Sequence, residues 1–127
     1  MGSNKIIDSR AIYEGGEYRE IGANRFQLLQ DLLWNMPGYD LKYEIGCVPE
    51  GFICDGCSYW PDQFLGKRYR KACFIHDYLC RHVIQTYADR YEADRTLRYL
   101  VGGAWGGIMF FGVRCYSISL EISGNIR

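Results

Sequence analysis

The stretch Tyr69-Arg-Lys-Ala-Cys-Phe-Ile-His-Asp-Tyr-Leu-Cys-Arg-His-Val83 decides how the 127-residue chain is read. Positions 72, 76, 79 and 83 hold Ala, His, Leu and Val, with Ile75 and Cys80 beside them, an apolar stripe at the spacing of one helical face. His76 lies inside that stripe. Asp77 is its chain neighbour but stands about 100° further round the helix, so the two cannot point the same way. After a short linker at Gln85 and Thr86, YADRYEADRTLRYLV repeats the pattern, with Ala93, Leu97, Leu100 and Val101 as the inward face and Asp94 among them. An unpaired buried carboxylate costs several kcal/mol, so Asp94 demands a partner. Antiparallel packing of the two helices supplies His76.

Outward from this pair the chain divides. Residues 1–50 read mainly as strands and turns: IYEGGEYREI flanks a Gly15-Gly16 pair suited to a hairpin, and LKYEIGCV spaces Leu41, Tyr43, Ile45 and Cys47 by two. FQLLQDLLW fits a strand or a helix equally. Residues 51–67, punctuated by Gly51, Gly56, Pro61 and Gly66, read as loop. Residues 68–117 read as helical, closing with YLVGGAWGGIMFFGV, whose fifteen residues fall short of the about twenty that cross a bilayer. This last helix reads as buried, broken at Gly102 and Gly103, its GxxxG pairs permitting close packing. The expected fold is α+β in one domain over 1–127: a small antiparallel sheet packed on two antiparallel helices and a Gly-rich buried helix.

Fifteen Lys and Arg balance fifteen Asp and Glu, so no bulk charge attracts nucleic acid or an anionic membrane. The first ten residues lack the apolar run of a secretory signal, and without one the six cysteines read as free thiols of a reducing compartment.

The spacing permits three kinds of chemistry. Asp94 orienting His76 is the base-and-orienter half of a hydrolytic site, with one ring nitrogen fixed and the other free. Asp77, turned toward the loop that holds Asp55, offers oxygen ligands to calcium. Cys54 and Cys57 followed by Cys73 and His76 have the form of a zinc site. Against all three stands a purely structural role, in which Asp94 orients His76 only to hold the helices together.

VPEGFICDGCSYWP, YRKACFIHDYLCR, ADRYEADRTLRYL and MFFGVRCY resemble, in order, the blocks of a family of small phage and prophage proteins known only as a domain of unknown function. Val48, Pro49, Gly51, Phe52, Asp55, Ser58, His76, Asp77, Ala93 and Asp94 carry the likeness, from about Phe26 to Tyr116. It implies a phage-associated protein in the cytoplasm of an infected cell or on the virion. The two helices also resemble those of phospholipase A2, which implies His76 as base, Asp94 as its orienter and Asp77 as a calcium ligand, acting on a lipid or ester. The competing expectation is a non-enzymatic phage protein that binds a host or virion protein.

Overall fold

The computed structural model describes residues 11–23, 25–54, 69–83 and 86–123. Among the described residues, six strands, β1 (Ile12–Gly15), β2 (Tyr18–Gly22), β3 (Arg25–Leu28), β4 (Leu32–Asn35), β5 (Ile45–Val48) and β6 (Ile53–Cys54), precede three helices. The helices are α1 (Arg70–Tyr78), which continues through a π-helical turn at Leu79–Val83, then α2 (Tyr87–Val101) and α3 (Gly103–Ser123). The α+β class expected from sequence is the class observed.

The strands form two three-stranded antiparallel sheets, ordered β1-β4-β5 and β2-β3-β6. Gly15-Gly16 is therefore not a hairpin turn. β1 pairs with β4 and β2 with β3, so the glycines stand where one long ribbon passes from the first sheet to the second. The bend keeps its hydrogen bonds: Gly16 N donates to Asp31 O at 3.0 Å and Leu29 N to Glu17 O at 2.7 Å. Both glycines have positive φ, and a Cβ on Gly15 would stand 2.3 Å from the Asp31 carbonyl, so only glycine fits this corner.

The ambiguous FQLLQDLLW resolves for the same reason. It forms β3 and β4 with the corner at residues 29–31, and the alternation places Phe26, Leu28, Leu32 and Trp34 in the core. Trp34 donates Nε1–H to the Tyr43 carbonyl at 2.9 Å and lies against Gly46, where any side chain would strike its ring. Gly51 turns the chain into β6 at φ +92°, a left-handed conformation that explains glycine in Val-Pro-x-Gly-Phe. Part of the expected 51–67 loop is thus strand, since Ile53 and Cys54 pair with Gln27 and Phe26.

α1 packs on β5 and β6, α2 on α1, and α3 on α2. Phe74 and Ile75 are fully buried at the first of these contacts, and Phe52 meets Phe74, Tyr78 and His82 ring to ring. The buried Arg70 guanidinium stacks 3.7 Å over the Phe26 ring, joining α1 to β3 by a cation–π contact. Thr86 caps α2 by accepting from Asp89 N at 3.1 Å.

The chain then reverses at Gly102 and Gly103, both at positive φ, which is the break expected there. α3 is longer than expected and is not a buried helix. Its inward face is Gly106, Met109, Val113 and Ser117, while Phe111 is 70% and Ile122 81% exposed. The apolar run carried no polar stripe to mark an outer face, so composition implied cover on every side. No helix among the described residues is long and apolar enough to cross a membrane.

Candidate functional site

His76 and Asp94 meet because the two helical runs form an antiparallel hairpin. His76 lies seven residues before the first run ends at Val83, and Asp94 seven after α2 begins at Tyr87. His76 Nε2 is 2.7 Å from Asp94 Oδ1. The Asp94 side chain is wholly buried and that of His76 is 11% exposed, so the pair lies at the inner edge of the surface.

Asp94 is more heavily partnered than the sequence implied. Its second oxygen, Oδ2, accepts from Arg114 Nη1 at 2.8 Å and from Ser117 Oγ at 2.8 Å, both on α3. The Ser117 hydroxyl in turn accepts from Arg90 Nε at 3.0 Å, and Arg114 Nη2 donates to the Tyr87 hydroxyl. The Arg114 guanidinium also stands over the rings of Tyr87 and Tyr91. One carboxylate thus ties α1, α2 and α3 together. Arg90 and Tyr87 lie on Asp94's own face of α2, at the spacings 87, 90 and 94, a signal the sequence did contain. Arg114 and Ser117 were not legible, because nothing local says which residues of α3 reach α2.

The electrostatics follow from this crowding. Burial works against a charge on His76, but the Cys80 sulfur, 3.6 Å from Nε2, and the Asp94 carboxylate together raise its pKa from 6.5 to about 10. Burial likewise opposes a charge on Asp94, yet the hydrogen bonds from His76, Ser117 and Arg114 hold its pKa below the ordinary carboxylate value. At neutral pH the pair is an imidazolium and a carboxylate. His76 makes both its contacts with described residues through Nε2, which leaves Nδ1 as the nitrogen available for chemistry.

Asp77 does not join this cluster. Its Oδ1 accepts from Arg81 Nε at 3.1 Å, one turn on. Asp55 and Cys57 lie outside the described residues. Calcium takes six to eight oxygens, and of the two carboxylates expected to hold it only Asp77 is described, with its Oδ1 engaged by the Arg81 guanidinium. Cys73 is disulfide-bonded, which withdraws a thiolate from the zinc set Cys54, Cys57, Cys73 and His76 and corrects the expectation that every cysteine is free. Cys47, Cys54, Cys80 and Cys115 are free. Among the described residues, the ligand atoms of His76, Cys80 and Asp94 lie within 4.8 Å of one another, a grouping that could hold a metal ion. A metal held by His76, Cys80 and Asp94 would compete with the proton that His76 and Asp94 share, at a carboxylate already bonded to Arg114.

Comparison with known proteins places this arrangement in no group, for no family model, curated protein or solved structure matches the chain.

Proposed function

We propose that the protein is a small phage-associated hydrolase of esters or lipids in which His76 is the base and Asp94 its orienter. The observation that carries this reading is the 2.7 Å bond from Nε2 to a buried carboxylate that is itself immobilised by Arg114 and Ser117. An orienter held at both oxygens fixes the ring and keeps the proton on Nε2, so that a neutral His76 presents its lone pair at Nδ1. Nδ1 then takes a proton from water as the water oxygen adds to the ester carbonyl, and the imidazolium formed, stabilised by Asp94, returns that proton to the alcohol oxygen as the ester C–O bond breaks. The raised pKa of His76 sets the condition: the base exists in quantity only as pH approaches 10. No step is routed through calcium.

A second reading rests on the same raised pKa and on the saturation of Asp94. Here the charged His76 and Arg114 clamp three helices about one anion, and the protein acts by binding a host or virion protein. Hydrolysis of a phosphatidylcholine vesicle and of a p-nitrophenyl ester, measured across pH with calcium or with a chelator, separates the two. The hydrolase reading expects turnover that climbs toward pH 10 and vanishes in His76→Gln. Absence of turnover at every pH, or equal turnover by the variant, leaves the clamp.

A further inference from the structure

Six of the thirteen exposed large hydrophobic side chains among the described residues lie on α3: Trp105, Ile108, Phe111, Tyr116, Ile118 and Ile122. Four of them, Ile108, Phe111, Ile118 and Ile122, fall on one line with Ala104 and Cys115. Ala104, Ile108, Phe111, Cys115, Ile118 and Ile122 follow one another at intervals of 4, 3, 4, 3 and 4, all exposed, on the face opposite Gly106 and Val113. That is the spacing of a two-helix coiled-coil seam, with a positions at 108, 115 and 122 and d positions at 104, 111 and 118. At 1.5 Å per residue the stripe runs for about 27 Å.

We infer that this face of α3 is a self-association surface that pairs with α3 of a second copy, antiparallel about a two-fold axis near Val113. In that arrangement each a residue faces a d residue of the other copy, and the sizes complement one another. Ala104 comes opposite Ile122, Phe111 opposite Cys115, Ile108 opposite Ile118, and flanking Trp105 opposite Ser119. Gly112 flanks the axis on one side of the seam and Arg114, bonded inward to Asp94, on the other. A parallel pairing would instead set Phe111 against Phe111 and Ala104 against Ala104. Completely covered, the exposed side chains of this face would remove on the order of 600 Å² per copy, so a pair covers at most about 1,200 Å², the lower limit of stable interfaces. A lipid surface is the rival occupant, but α3 has only two charged residues, Glu121 and an Arg114 turned inward to Asp94, and so lacks the basic rim of a membrane-surface helix.

Sedimentation equilibrium of the full chain at micromolar concentration tests the pairing. Twice the chain mass is expected for the wild type and the single-chain mass for Ile118→Glu and Ile122→Glu, with unchanged far-UV circular dichroism. A monomeric wild type, or variants that stay dimeric, overturns the proposal. A monomeric wild type that floats with phosphatidylcholine vesicles assigns the face to lipid instead. Register is read in a Cys47→Ser background, where Phe111→Cys should form an intermolecular disulfide with Cys115 under mild oxidation. Equally rapid Cys115–Cys115 crosslinking without that change overturns the antiparallel register.

Discussion

Replacing Asp94 by Asn keeps the shape of the side chain and removes its charge, which isolates what the carboxylate contributes. Asp94 accepts three bonds, from His76 Nε2 at 2.7 Å, Arg114 Nη1 at 2.8 Å and Ser117 Oγ at 2.8 Å, with no exposed surface of its own. An asparagine has one oxygen to offer. If that oxygen keeps Arg114 and Ser117, the amide nitrogen faces His76 Nε2, donor against donor, until the imidazole gives up its proton. If the amide turns the other way, two donors on α3 are left facing a third. In either orientation Arg114, 13% exposed, loses its counter-ion. Breaking a buried ion pair by removing one partner costs about 3–5 kcal/mol, and a hydrogen bond to a charged group contributes about 1.5–3 kcal/mol. With Arg114 also held by Tyr87, the lower end applies, and we expect a loss of about 3 kcal/mol, a large share of the 5–15 kcal/mol typical of a domain. Urea unfolding followed by tryptophan fluorescence checks this. For a slope of about 1–3 kcal/mol per molar the midpoint should fall by about 1–3 M, with the slope unchanged. A loss below about 1 kcal/mol would refute the view that Asp94 is the anion on which three helices converge.

The pH dependence of stability follows from the same charges. His76 has a folded pKa raised from 6.5 to about 10, so its contribution is fully present below pH 6.5 and is lost as pH rises through 10. Asp94 has a lowered folded pKa, so its contribution is present above the ordinary value of 3.8 and is lost as pH falls through the folded value. Urea midpoints measured from pH 5 to 10 should therefore decline toward the alkaline end in the wild type and much less in Asp94→Asn. At the α2–α3 crossing a Cβ on Gly106 would stand 2.4 Å from the Arg98 carbonyl oxygen. Gly106→Ala should cost about 1–3 kcal/mol by forcing the helices apart, in spite of alanine's better helix propensity, and a thermal melt by circular dichroism measures it.

The helix hairpin was legible because its information is local. Apolar residues at helical spacing define an inward face on each side of a short linker, and a charged residue on each such face must find the other. The bond between His76 and Asp94 is that deduction realised. In the strand region the alternation of Phe26, Leu28, Leu32 and Trp34 was present in the letters, but the corner between them was not. A Gly-Gly pair serves a hairpin or a bend equally well, and which one forms depends on the strands that pair across it.

What the chain by itself determined is the α+β class, the stripes of α1 and α2, the break at Gly102-Gly103 and the His76–Asp94 pair, all consequences of periodicity and of glycine's access to positive φ. Only the tertiary structure decided that the ribbon bends into two sheets, that Arg114 and Ser117 complete the shell of Asp94, and that α3 keeps an exposed apolar seam. Each of these depends on which surfaces meet across many residues. A side chain's environment there is set by distant segments, and its own neighbours in sequence carry no trace of them.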